Sequence, residues 1–125
     1  MMKWGWALNT LINVRGEEIL EKMLFRPYLL NRCVVLVEGV FEWDKDRNPY
    51  KYIIGEGKKL FIAAIYNKKN EVILLTNKAT KKFEKIHHRM PMILDEEEID
   101  FYLDRENDVI EVFKSISDHS SPKWG

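Results

Sequence analysis

One cysteine, Cys33, is all that the 125 residues hold. A lone thiol closes no intramolecular disulfide, and the apolar run behind it reads as a core strand rather than a redox motif, so a reducing cytosol is the expected setting. Net charge is also missing, with twenty Lys and Arg against twenty Asp and Glu. That balance excludes a whole-molecule field drawing in a polyanion, and leaves any case for nucleic acid to local patches. No apolar run approaches the roughly 18 to 20 residues needed to span a bilayer. The opening Met1-Met2-Lys3-Trp4-Gly5-Trp6 carries no apolar leader core, so neither secretion nor membrane insertion is expected. Internal repeats and linkers are absent as well.

What is present is the composition of a folded domain. Hydrophobic residues at 46% and charged residues at 32% argue against a disordered chain, and the length suits a single core and a single site. Ile19, Leu20, Met23 and Leu24 fall at helical spacing, which predicts a short amphipathic helix over 17–24 with Glu17 and Glu18 at its acidic start. Pro27 then interrupts, opening a turn or a second short helix. Mostly apolar runs of four to seven residues follow, at Cys33 to Val37, Val40 to Trp43, Tyr50 to Ile54, Leu60 to Tyr66, Glu71 to Thr76 and Met90 to Leu94. Gly, Pro, Asn and Asp stand between them, which predicts strands joined by hairpins. Asp95 with Glu98 forms a capping-box pattern, predicting a helix that buries Ile99, Tyr102 and Leu103. Val109 to Phe113 reads as one more strand, and Ser115 to Gly125 as a frayed tail.

Four short segments hold polar or aromatic residues beyond what packing demands: Trp4-Gly5-Trp6, Asn13-Val14-Arg15, Gly39-Val40-Phe41-Glu42-Trp43 and His87-His88-Arg89-Met90-Pro91. Trp4 and Trp6 suit base stacking or the core equally. Asn13 and Arg15, flanking one residue of an extended segment, share a face and suit a phosphate or sugar; helix capping is the alternative. Glu42 alternates with Phe41 and Trp43, so it points either to solvent or into a pocket whose desolvation suits it to proton transfer. His87 and His88 are either surface residues or general acid–base candidates. Cys33 and His119 are the only further soft ligands, so no metal site is predicted. Lys78, Lys81, Lys82, Lys85 and Arg89 form a basic stretch against an acidic stretch from Asp95 to Asp108, which is either a solvated face or one side of a polyanion site.

In order and spacing, these segments resemble the SOS response-associated peptidase (SRAP) family. That family shows a Trp-Gly segment, an Asn-Ala-Arg-x-Glu stretch, an Arg-Cys strand leading into Gly-Phe-Tyr-Glu-Trp, and a His-x-Arg-Met-Pro motif. Here the counterparts are Trp4-Gly5, Asn13-Val14-Arg15-Gly16-Glu17, Arg32-Cys33 leading into Gly39 to Trp43, and His87 to Pro91, so the resemblance runs over most of the chain. It implies an α+β fold, mostly antiparallel β and barrel-like, with short flanking helices. It further implies an abasic-site-processing protein of the peptidase or lyase type acting in the DNA damage response. Single-stranded DNA containing abasic sites is the implied partner, with no cofactor, no membrane and a monomeric, cytoplasmic protein.

Residue by residue, the resemblance casts Asn13 and Glu42 as active-site amide and acid, and His87 as the group assisting ring opening of the abasic sugar. Arg15 and Arg89 become phosphate contacts, and Trp4 lies beside the DNA groove. Family members place a cysteine directly after the initiator methionine, whose amine and thiol trap the abasic aldehyde as a thiazolidine. Met2 stands there in this sequence, so a single domain over 1–125 without the family's N-terminal segment is expected, and no stable thiazolidine cross-link. Two rivals remain: a non-catalytic single-strand-binding module, and a thiol hydrolase using Cys33 with His87.

Overall fold

The computed structural model describes residues 2–6, 13–37, 40–43, 49–54, 59–78 and 89–119; for 40–43, 49–54 and 117–119 the description is of the backbone. Among these residues nine strands run in chain order: β1 (Lys3–Trp4), β2 (Asn13–Arg15), β3 (Arg32–Val37), β4 (Val40–Trp43), β5 (Pro49–Ile54), β6 (Leu60–Tyr66), β7 (Glu71–Lys78), β8 (Arg89–Pro91) and β9 (Ile93–Leu94). Two α-helices follow among the described residues, α1 (Glu96–Leu103) and α2 (Val109–His119). Seven strands form one mixed sheet, and β4 and β5 form a separate antiparallel pair. The expected α+β fold is found. Among the described residues its strands are mostly antiparallel, and the sheet stays open rather than closing into a barrel.

β7 is the hub. On one edge it pairs with β6 through Ala64↔Leu74 to Tyr66↔Val72, and on the other it takes β1 and β2 in parallel. Beyond Leu74, β6 and β7 diverge and the segment after Arg89 enters between them, β8 bonding β7 and β9 bonding β6. Met92 sits at the crossing: its N–H donates to the Leu75 carbonyl, and its own carbonyl accepts from Ala63, each at 2.9 Å. The single strand expected over Met90 to Leu94 is therefore two. A short strand serves two neighbours there because each backbone group must find a partner in a buried position. The β6–β7 turn carries Asn70 at φ 58°, a conformation that asparagine tolerates better than most residues.

The face of the sheet bearing Ala63, Ile65, Ile73 and Leu75 packs against Tyr102 of α1 and Val112, Phe113 and Ile116 of α2, with Trp6, Ile19 and Phe25 closing the sides. α1 begins as its sequence requires: Asp95 Oδ1 accepts from Glu98 N at 2.9 Å while Glu98 Oε1 accepts from Asp95 N at 3.1 Å. Its far end rests on Arg32, a buried cation that donates to the Leu29, Tyr102 and Asp104 carbonyls.

Two expected elements are corrected. The predicted helix over 17–24 is a single 3-10 turn, Gly16–Glu18, followed by a second 3-10 helix, Met23–Tyr28, that contains Pro27. Ile19 is buried, but Met23 is 75% exposed, so the supposed stripe is not continuous and eight residues are too few to sustain an α-helix without one. Val109–Phe113 is not a strand but the first half of α2. Val112, Phe113 and Ile116 are buried while Ile110 is 54% exposed, a helical period that a five-residue window cannot register. α2 also carries the chain through Ser115 to His119, inside the expected tail.

Candidate nucleic-acid interface

Register on β7 decides which side chains meet. Laterally paired residues share a face, and alternate residues along a strand return to it. Trp4 pairs with Val72, Asn13 with Leu74, Arg15 with Thr76, Pro91 with Thr76, and Arg89 with Lys78. Trp4, Asn13, Arg15, Thr76, Lys78 and Arg89 therefore share the face turned away from the helices. Val14, Ile73, Leu75 and Asn77 take the opposite side and are buried. Asn13 and Arg15 are exposed on either side of buried Val14, as the extended reading of that segment requires.

The two tryptophans part company. Trp4 is 64% exposed, while Trp6 is 1% exposed, donates its Nε1 hydrogen to the Glu71 carbonyl at 2.9 Å and meets Tyr28 edge-on at 5.0 Å. In a regular strand residues i and i+2 face the same way. Gly5, at φ 97°, breaks that alternation, and a residue with a Cβ is strained there.

Arg89 is more committed than the other cations of this face. Its guanidinium forms a two-pronged pair with Glu17 at 2.7 and 2.9 Å, and donates to the Thr76 carbonyl at 2.9 Å and Oγ1 at 3.1 Å. The Arg89 hydrogen bonds hold the Glu17 carboxyl down at about 2, against a modest opposing effect of burial, so the pair stays charged at any physiological pH. A phosphate reaching Arg89 has to displace that carboxylate. Glu17 follows β2 and Arg89 opens β8, so the pair ties the end of β2 to β8 across β7. The Glu17–Arg89 partnership spans 72 positions and has no local signature.

Glu42 stands on β4 opposite Tyr50, but its side chain lies outside the described residues, as do His87 and His88. Cys33 lies on β3 opposite Ala64, half-buried, and burial pushes its thiol up to about 11. A hydrolytic thiol needs the opposite shift. Among the described residues no three metal-ligating side chains gather, and no helix is long and apolar enough to cross a membrane.

The Cys33 environment yields a direct expectation. Raising the pKa from its ordinary value of 9.0 to about 11 lowers the thiolate fraction at neutral pH about 100-fold, partly offset by the higher nucleophilicity of the more basic thiolate. A disulfide reagent should then label folded protein roughly ten- to a hundredfold more slowly than it labels a small thiol, and at the ordinary rate in denaturant. Labelling of the folded protein at the free-thiol rate would return the thiol-hydrolase reading to contention.

Comparison with known proteins supplies the identification. The fold, a mixed sheet covered by helices on one side, matches solved structures. One from Bacteroides thetaiotaomicron superposes with a TM-score of 0.73 at 26% identity, covering 87% of this chain and 53% of that one. A phage-related protein from Bordetella bronchiseptica shares the fold at a TM-score of 0.72 and 20% identity, over 90% of this chain and 60% of its own. The family model for SOS response associated peptidase (SRAP) matches residues 1–123, and the chain belongs to that family.

Curated relatives include an abasic site processing protein of Saccharomyces cerevisiae, 33% identical over 114 residues, covering 75% of this chain and 31% of the yeast protein. The abasic site processing protein YoqW of Bacillus subtilis is 28% identical over 128 residues, covering 85% of this chain and 57% of YoqW. The chain thus spans between about a third and three fifths of these relatives' lengths.

Proposed function

We propose that this protein processes abasic sites in single-stranded DNA as a monomer in the cytoplasm. Family membership and the names of its relatives support the reading. The observation that carries it is the single sheet face on which Trp4, Asn13 and Arg15 lie in a row along β7. Trp4 offers a base an exposed ring, and Arg15 offers a phosphate a planar fork of donors. The Asn13 amide lies between them to hydrogen-bond the sugar or its phosphate. Glu42 then serves as the acid and His87 as the group that assists opening of the abasic sugar, both being residue types that general acid–base chemistry commonly uses. Arg89 braces the His87-bearing segment against Glu17, and meets phosphate only when that carboxylate yields.

A non-catalytic single-strand-binding module is the second reading, favoured by the fact that the Trp4–Arg15 face requires neither Glu42 nor His87. One experiment separates the two. Fluorescence anisotropy should show single-stranded DNA bound in preference to duplex and released by salt. Denaturing gels after incubation with an abasic oligonucleotide should show incised product, with protein-linked product only after borohydride trapping. Glu42→Gln and His87→Ala should each slow product formation by roughly a hundredfold or more, with affinity within about twofold of the parent. Binding without any product would select the module, and equal duplex affinity, or none at low salt, would refute both readings.

A further inference from the structure

The face that carries Arg15 ends at a second cation whose position and environment differ from those of Arg89. Lys78 is the last residue of β7, exposed, directly opposite Arg89, and on the same face as Thr76 and Arg15. Two residues along β7 and one strand sideways separate it from Arg15, about 8 Å between Cα atoms at standard strand spacings. Both side chains are long enough to reach neighbouring phosphates of one strand. Trp4, opposite Val72, lies about 20 Å from Lys78 along β7 at the same spacing, which is room for several nucleotides.

Arg89 is less suited to that position than its charge suggests. Its side chain is 11% exposed, against 43% for Glu17, and the carboxylate neutralises it through two parallel hydrogen bonds. An incoming phosphate has to compete with a carboxylate already in ideal geometry, whereas Lys78 presents its ammonium from an exposed strand end. A lysine also acts as a mobile point charge, which suits backbone tracking without base readout.

Resting on the reading that this face binds single-stranded DNA, we propose that Lys78 is a phosphate-binding residue. With Arg15 it holds consecutive phosphates, and it sets the course of the strand from Trp4 along β7 towards β8. The Glu17–Arg89 pair lies beneath that path and shapes its floor.

The test is the salt dependence of binding to an unmodified oligothymidylate of about ten nucleotides, a probe without an abasic site. Each phosphate contact contributes about 0.7 to the slope of log K against log salt on single strands. Lys78→Ala should reduce the slope by about 0.7 and the affinity at 50 mM salt by roughly five- to tenfold. Lys78→Arg should restore both, and the Arg15→Ala, Lys78→Ala double variant should lose about twice the slope of either alone. An unchanged thermal midpoint for Lys78→Ala shows that the loss is not one of folding. If Arg15→Ala lowers the slope but Lys78→Ala leaves it untouched, the Lys78 assignment is wrong while the DNA-binding reading stands. If the parent protein fails to bind the probe at low salt, both fall together.

Discussion

Replacing Arg32 by alanine should lower stability by about 3–5 kcal/mol, the largest loss expected from any single polar side chain described in this protein. Arg32 is 7% exposed and donates to three main-chain carbonyls, Tyr102 at 2.5 Å, Asp104 at 2.8 Å and Leu29 at 3.0 Å. Two of these oxygens terminate α1, where a helix gathers partial negative charge and leaves its last carbonyls without intrahelical donors. The guanidinium also lies 5.9 Å from the centroid of the Tyr102 ring. Burial lowers its pKa, and the helix end offsets the cost of keeping the charge there. Alanine would leave the carbonyls buried without a donor, together with a void between β3 and α1. Thermal unfolding should register this as a fall in Tm of roughly 12–20 °C. Lysine, with one ammonium for three divergent acceptors, should recover only part of the loss. A fall of less than about 1 kcal/mol in chemical denaturation would show that the α1 terminus is anchored by something other than Arg32.

The second large effect divides the two N-terminal tryptophans. Trp6→Ala should cost about 3–5 kcal/mol, because it empties a site packed by Phe25 at 5.6 Å and Tyr28 at 5.0 Å between ring centroids, and removes the indole donor from the Glu71 carbonyl. Trp6→Phe keeps most of the packing and should lose about 1–2 kcal/mol, the share of the hydrogen bond and the missing ring. Trp4→Ala, at a position 64% exposed, should leave stability within about 0.5 kcal/mol. Its effect should appear instead in binding to single-stranded DNA, weakened by about 1–3 kcal/mol, or about 5- to 150-fold, if the ring stacks on a base. Denaturant melts and anisotropy titrations on the same three variants measure both quantities. Unchanged DNA affinity in Trp4→Ala would take the aromatic contact out of the proposed interface.

Much of the strand framework was legible because its signals are local. Leu60 to Tyr66 and Glu71 to Thr76 carry long β-branched and apolar runs, the second continuing as strand to Lys78, and the Asn67 to Asn70 turn needs only four residues to declare itself. Asp95 and Glu98 announce the start of α1 from three positions apart. Elements with competing local signals went the other way. Val109 to Phe113 is rich in β-branched residues, and only the burial of Ile116 with Val112 and Phe113 reveals a helix. Residues 17–24 have helical spacing, yet Glu17 is drawn to Arg89 and Pro27 follows too soon, so two 3-10 turns replace the helix.

The site shows the same division. Alternation around Val14 was enough to put Asn13 and Arg15 on one face, since side-chain direction in a strand follows from the backbone alone. Identical residue types at Trp4 and Trp6 gave no means of separating stacking from packing; that choice hangs on Gly5 and on which strand the segment joins.

By itself, then, the order of residues determined strand-forming runs, the Asn67 to Asn70 turn, the cap of α1 and the motifs that place the chain in its family, because each is settled within a few residues by sterics and hydrogen bonding. Tertiary structure alone decided that β1 and β2 run parallel to β7, that β8 and β9 divide between β7 and β6, and that Arg89 belongs to Glu17 while Lys78 lies open beside it. Those outcomes are choices of register and partner between segments far apart in the chain. Their free energy comes from surfaces that exist only once the sheet has assembled, so no local pattern encodes them.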